Sequence, residues 1–256
     1  MSNLSILNEK EFELKLFADS TIDENSYPPE LNDLYYIYRL IRDRVILSVL
    51  EYGCGWSSKA INIALEENFR DFSDLFNSNF IRHPNKWCHL IIDANEGYIE
   101  KTLDRFSPKK IKTEAIKAIP TISNTESSPV FYWDYLPNFS PDLIYIDGPD
   151  DNQIVGTFRF FKYENSFTPP IFSDLLRLEP FLMPESILLF DGRTSHVRYV
   201  QRNFKRNWET YTDPFGDRTV MRLDESPLGP INRTIINTRI EASQLLLSKE
   251  KPQMTR

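Results

Sequence analysis

The sequence predicts an α/β fold in which a mostly parallel sheet carries helices on both faces. Three observations lead to it. Short runs of β-branched and leucine residues alternate with stretches of helical period, four of those runs stop at a carboxylate, and glycines gather at the stops. A chain of 256 residues is long enough for one large domain with a substantial core. Neither an internal repeat nor a low-complexity linker divides it, so a single domain is expected over 1–256. Its parts are an N-terminal segment and helix over 1–44, a core over 45–223 and an extension over 224–256.

Residues 1–27 are polar with no clear period. Leu31, Leu34, Tyr35, Ile37, Tyr38 and Ile41 then recur at three- and four-residue spacing after Pro28 and Pro29, which predicts a helix over 31–44. Val45–Leu50 is near-continuously apolar, as suits a strand buried on both faces, and it runs into Glu51-Tyr52-Gly53-Cys54-Gly55 before a helix beginning near Ser57. Residues 69–86 are rich in Phe, Asn and charge and read as an irregular insertion. Trp87–Ile92 makes a second strand ending at Asp93, followed by a helix over 97–106.

A third strand falls at 116–119 or at 130–132. Asp142–Ile146 is a clear strand stopping at Asp147-Gly148-Pro149. A helix over 171–179 is expected next, entered through Pro169 and Pro170 and stopped by Pro180. Ser186–Phe190 forms another strand, ending in Asp191-Gly192-Arg193, with a helix over 195–206 behind it. Trp208–Thr212 and Arg218–Leu223 flank the turn-former Pro214-Phe215-Gly216-Asp217, so an antiparallel hairpin is expected at the sheet edge. Residues 239–248 suit a short helix and 249–256 a loose tail.

Composition narrows the function. Hydrophobic residues at 41% and charged residues at 26% are close to the globular average, which argues against wholesale disorder or a rod. A net charge of −7 disfavours a broad nucleic-acid or anionic-membrane surface. The chain has no apolar run long enough to span a bilayer, and its first residues are polar and acidic, so a cytoplasmic protein is expected. Two cysteines, Cys54 and Cys88, are too few for a disulfide framework and read as reduced thiols.

Glycine is scarce, 8 in 256, or roughly 3% where about 7% is usual, so each one invites a local backbone reason. Five of them, Gly53, Gly55, Gly97, Gly148 and Gly192, crowd the predicted carboxyl ends of the strands, beside Glu51, Asp93, Asp147 and Asp191. Ligands of such folds bind there. Gly53-Cys54-Gly55-Trp56-Ser57-Ser58 stops one residue short of the dinucleotide fingerprint. A carboxylate at Glu51 would repel a pyrophosphate and suit a cationic ligand, and S-adenosylmethionine carries both a sulfonium and an ammonium. Asp93 is where an acidic side chain accepts ribose hydroxyls, although it lies 38 residues beyond Gly55 instead of the usual roughly 20.

On these pieces, together with Pro141–Pro149 and the terminal hairpin, the chain from about Leu31 to Leu223 resembles the class I S-adenosylmethionine-dependent methyltransferases. The resemblance implies a Rossmann-like, doubly wound, mostly parallel seven-stranded sheet whose C-terminal hairpin adds an antiparallel strand. It implies that Glu51, Gly53 and Gly55 line the methionine end of the cofactor, that Tyr52 is among the cofactor-binding residues, that Asp93 binds the ribose, that Trp56 and Ser57 adjoin it, and that Asp147 faces the transferred methyl.

Methyl transfer asks the protein to align a nucleophile and manage its proton. For a hydroxyl acceptor, Asp147, Asp191 and His196 are the candidate bases. Asp147 and Asp191 together suggest a possible Mg²⁺ site, although Gly192 offers no third side-chain ligand. The aromatic stretch over 150–167, with Phe158, Arg159, Phe160, Phe161, Lys162, Tyr163 and Phe167, reads either as an acceptor lid or as packing. Arg193 sits at a strand end where it would hold an anionic acceptor, a sugar phosphate or a carboxylate, whereas Arg198, Arg202, Lys205 and Arg206 read as the outer face of the following helix. The expected function is therefore O-methylation of a small sugar-like or anionic metabolite. A nicotinamide-dependent oxidoreductase and a non-catalytic cofactor-binding protein remain the alternatives.

Overall fold

Seven strands form the central sheet: β1 Ser48–Tyr52, β2 Cys88–Asp93, β3 Lys112–Lys117, β4 Leu143–Ile146, β5 Ile187–Asp191, β6 Trp208–Thr212 and β7 Arg218–Leu223. They lie in the order β6-β7-β5-β4-β1-β2-β3. The structure is a computed structural model that describes residues 6–18, 28–79, 81, 83, 85–106, 110–124, 128–158, 161–162, 170–214 and 217–250. Strands β1 to β5 pair in parallel, and β7 pairs antiparallel with both β5 and β6. This is the doubly wound sheet with a terminal hairpin that the sequence predicts, and the hairpin strands match the expected bounds.

Alternation along the buried strands builds two cores, because successive side chains point to opposite faces. Val49, Leu143, Tyr145, Ile187 and Leu189 face the core shared with helices α1 Glu9–Phe17, α2 Leu31–Asp43, α3 Trp56–Ser78 and α7 Gly229–Glu250. Leu50, Tyr52, Ile144, Ile146, Leu188 and Phe190 face the other, which α5 Asp174–Leu178 and α6 Thr194–Asn203 cover. Helix α4 Glu96–Asp104 connects β2 to β3. Among the described residues, no helix is long and apolar enough to cross a membrane. Cys54 and Cys88 are both free thiols.

Several elements depart from the sequence reading. Helix α1 lies within the stretch that shows no period, and Asn8 starts it by accepting from the Glu11 N–H at 3.0 Å while the Glu11 carboxylate accepts from the Asn8 N–H. Helix α3 continues to Ser78 through the supposed insertion, since Phe72 and Phe76 are buried one turn apart and Phe69 and Phe76 both meet the Trp87 ring edge-on at 5.6 Å. The two candidates for the third strand fall in different sheets, and 116–119 overlaps only the last two residues of its strand. β3 belongs to the main sheet, whereas 130–133 pairs with 120–123 and 171–172 in a three-stranded one.

The helix expected over 171–179 is shorter for the same reason. Ile171 donates its N–H to the Pro129 carbonyl, and helix α5 begins only at Asp174, whose carboxylate accepts the Trp133 N–H at 2.8 Å. Helix α7 is longer than the expected 239–248, because Arg239 reaches Asp142 and Ser243 donates to the Asp43 carbonyl, fastening it along the domain. Within the aromatic stretch, 157–158 pairs with 161–162, and Phe158 packs against the second core. Arg159, Phe160, Tyr163, Phe167, Pro169, Phe215, Gly216 and 251–256 lie outside the described residues.

Candidate functional site

The strand order reverses between β1 and β4, with β2 on one side and β5 on the other. Such a switch point leaves a crevice beyond the carboxyl ends of the strands, because the loops on either side diverge. At its floor the two backbones touch. Tyr52 accepts the N–H groups of Asp147 at 3.0 Å and Gly148 at 2.7 Å through its carbonyl, and Gly53 donates to the Ile92 carbonyl at 2.9 Å. A Cβ on Gly148 would stand 2.6 Å from the Gly53 Cα, and one on Gly53, where φ is +96°, would stand 2.8 Å from the Gly148 nitrogen. Only glycine fits at either position. A Cβ on Gly55 would meet nothing within 4 Å, so that glycine leaves space.

The crevice is a cavity of about 460 Å³, within the size range of small-molecule sites. Gly53, Gly55, Trp56, Ser57, Asp93, Asp147 and Asp191 all line it, so the structure brings together seven of the ten expected site residues. Asp93 is nearly buried and accepts the Asn95 N–H at 2.7 Å, and burial raises its carboxyl above the usual range. Trp56 is buried, with the Arg105 guanidinium 4.6 Å above its ring.

Glu51 is correctly placed at the end of β1 but does not line the cavity. It is fully buried, with Oε1 accepting from the Ser57 hydroxyl at 2.6 Å and Oε2 contacting His89 Nε2 at 2.9 Å. The Asn62 amide continues the chain, donating to the Ser58 carbonyl at 3.0 Å and to His89 Nδ1 at 2.7 Å, while its oxygen accepts from the Thr113 hydroxyl at 2.9 Å. Since Nδ1 accepts, Nε2 carries the proton that His89 donates to Glu51. Glu51 therefore acts on the cavity through Ser57. Tyr52 is also displaced from its expected role: its ring packs in the second core against Phe172 at 4.6 Å and Trp133 at 6.0 Å, and only its backbone shapes the floor.

Asp147 and Asp191 stand across β4 and β5. Burial and the charge of Asp191 push the Asp147 carboxyl up to about 7, against the opposing pull of Arg193. Burial also raises Asp191, whose Oδ2 accepts from the Tyr145 hydroxyl at 2.8 Å. His196 is not brought to the cavity. It lies buried with its ring edge toward Phe131, 6.4 Å between centroids, and burial drives it down to about 3, so it is uncharged at neutral pH. Arg193 lines the cavity, yet its terminal nitrogens donate to the carbonyls of Pro149, at 3.2 Å, and Asp147, which removes the free fork expected for an anion. Arg206 is likewise engaged, with the carbonyls of Glu179 and Leu182.

The possible Mg²⁺ site does not fit the donors present. Among the described residues no group of three His, Cys, Asp or Glu side chains is arranged to hold a metal, and one oxygen of Asp191 is already committed to Tyr145. Sequence reasoning missed Tyr145, Lys101, Arg105, Asp33 and Asp217, all of which line the cavity, and the buried His89 behind it. A hydroxyl-bearing tyrosine inside the run Leu-Ile-Tyr-Ile was the one signal available for Tyr145.

Fold and cavity together define a Rossmann-like α/β protein with a ligand crevice at its switch point. No family model and no curated protein matches the chain. Solved structures similar to it include methyltransferases. A putative caffeoyl-CoA O-methyltransferase from Staphylococcus aureus shares 16% identity at a TM-score of 0.42, over 84% of this chain and 92% of that one. The O-methyltransferase TomG from Streptomyces achromogenes, solved in complex with SAM, shares 11% at 0.41, over 86% and 100%. The SAH-bound methyltransferase PaMTH1 from Podospora anserina shares 15% at 0.42, over 88% and 100%.

Proposed function

We propose that the protein is a cytoplasmic S-adenosylmethionine-dependent methyltransferase acting on a hydroxyl of a small molecule. The observation that carries this reading is the joint placement, in one switch-point cavity, of a glycine turn with open space at Gly55 and the carboxylates Asp93, Asp147 and Asp191. A dinucleotide would bring its pyrophosphate against those carboxylates, whereas a sulfonium and an ammonium are attracted by them. The residues fit the cofactor. Asp93 would accept from the ribose hydroxyls, and Gly53 and Gly55 allow close backbone approach. Ser57, whose hydroxyl donates its hydrogen bond to Glu51, would offer lone pairs to an ammonium.

When bound, S-adenosylmethionine supplies a methyl on a positive sulfur, and the C–S bonding pair departs with the sulfur as a neutral thioether. The chain's own task is to hold the acceptor oxygen in line and take its proton. Asp147, which lines the cavity, is the group we assign to this, and a carboxyl near 7 is well matched to a proton acceptor at neutral pH. The acceptor oxygen would take that methyl as its proton passes to Asp147.

Calorimetric titration with S-adenosylhomocysteine and, separately, with NAD tests the reading. Saturable binding of the first alone, weakened by Asp93→Ala, supports it. NAD binding in its place would make the protein an oxidoreductase, and cofactor binding without transfer of labelled methyl to any acceptor would favour a non-catalytic role.

A further inference from the structure

The cavity wall changes charge from one side of the switch point to the other. On the β2 side, Asp93 is accompanied by the cations Lys101 and Arg105. On the β4 and β5 side the wall carries Glu30, Asp33, Asp147, Asp150, Asp191 and Asp217, and Arg193 is the one cation among the described lining residues there. Both terminal nitrogens of Arg193 already donate to backbone carbonyls. Arg218, outside the lining, is bound to Asp33 at 3.2 Å and Asp213 at 2.7 Å, with its guanidinium 4.3 Å above the Tyr36 ring.

Tertiary contacts gather these carboxylates from distant parts of the chain. Gly192, just past β5, donates its N–H to the Asp217 carbonyl at 3.2 Å, and Arg218 draws Asp33 of α2 to the same corner. Accepting capacity is left over. The Asp147 carboxylate receives no hydrogen bond from a described residue, and among the described residues only Oδ2 of Asp191 is engaged. A wall with this surplus attracts a cation and rejects an anion, because unlike charges in a partly desolvated cleft are favoured over like ones.

We propose that the methyl acceptor is an organic cation, a protonated amine that also bears the hydroxyl to be methylated, with its ammonium held among Asp33, Asp191 and Asp217 and its hydroxyl at Asp147. This rests on the methyl-transfer reading and replaces the anionic acceptor that Arg193 suggests in the sequence.

The test is calorimetric titration of the protein loaded with S-adenosylhomocysteine, using a panel of amino alcohols and amino sugars. Each is titrated beside its N-acetyl and carboxylate counterparts, glucosamine, N-acetylglucosamine and glucuronate being one set. At least one amine is expected to bind about tenfold tighter than both counterparts, and Asp33→Asn and Asp217→Asn are each expected to weaken it several-fold. Both variants should keep their S-adenosylhomocysteine affinity, and Asp217→Asn should keep its melting profile, whereas Asp33→Asn also gives up the ion pair with Arg218. Amines binding no tighter than their counterparts across the panel, or variants that leave amine binding unchanged, overturn the proposal. Failure of S-adenosylhomocysteine to bind would instead remove the methyl-transfer reading, and the same amine titration on unloaded protein would still report the preference of the wall.

Discussion

His89 Nε2 donates to Glu51 Oε2 at 2.9 Å, and neither side chain is exposed at all. Through Glu51 this buried bond fixes the Ser57 hydroxyl at the cavity, so a residue with no contact to the cavity sets what the cavity offers. Replacing His89 by Phe leaves a buried carboxylate oxygen without its donor, a loss of about 1.5–3 kcal/mol for a hydrogen bond to a charged group. Denaturant titration should show that loss. Calorimetry on the folded variant should show weaker S-adenosylhomocysteine binding, and His89→Gln, which retains a donor, should recover part of it.

Two glycines of the site separate by function. Gly148→Ala drives a Cβ into the Gly53 backbone, where no flexible side chain can yield, and should cost more than about 2 kcal/mol. Gly55→Ala has space for its methyl group and should change stability by no more than about 1 kcal/mol. That methyl group would occupy the cavity, so cofactor affinity should fall while the melting temperature holds. Equal losses of stability in the two variants would contradict this division.

On the methyl-transfer proposal, Asp147 would give the reaction its pH dependence. As the base it must be ionised, so the rate should rise with pH through about 7 and level off above it. Asp147→Asn should remove that limb and lower kcat about 10²- to 10⁴-fold. The stability effect has the opposite sense. A carboxyl raised in the folded state binds its proton more tightly than in the unfolded chain, so its contribution is full below about 4 and fades as pH rises through about 7. Solvent in the cavity damps this effect, and Asp147→Asn should be relatively more stable than the parent above neutrality.

His196 titrates in the other direction. Because burial lowers it to about 3, its contribution is present above the unfolded value near 6.5 and is lost as pH falls from there toward 3. The full effect is on the order of a few kcal/mol. His196→Leu, buried against Phe131, should flatten the loss of stability across that acid window and leave S-adenosylhomocysteine binding intact. A collapse of methyl transfer in a well-folded variant would restore His196 as a candidate base.

Asp142 anchors the start of β4. It is buried and accepts from the Leu47 N–H at 2.9 Å and from Arg239 at 3.2 Å, and Arg239, His83 and these bonds hold its carboxyl well below the usual range in spite of burial. Asp142→Ala should therefore cost about 3–5 kcal/mol near pH 7, because it strands a buried arginine. The difference from the parent should shrink as pH falls below about 4, where the unfolded carboxyl also binds its proton.

Much of the sheet was legible because buried strands are written as local runs. Val45–Leu50, Asp142–Ile146 and Ser186–Phe190 each announce themselves within six residues. Helix α1 was not legible, since a nine-residue helix with two buried residues, Phe12 and Leu16, has too narrow an apolar face to show a period. The far half of α3 was hidden because Phe69 and Phe76 pack against Trp87, a partner only tertiary structure supplies.

By itself the sequence determined the alternation of strands and helices, the carboxylates at the strand ends and the glycines beside them, because each depends on neighbours within a few residues. Only the tertiary structure decided which of those groups meet a ligand. Glu51 and His196 were turned inward, Arg193 was drawn onto carbonyls, and Asp33 and Asp217 were carried to the cavity from elements far apart in the chain. The physical reason is that burial and hydrogen-bond satisfaction belong to the packed molecule: a polar group faces a cavity only when no protein partner claims it first.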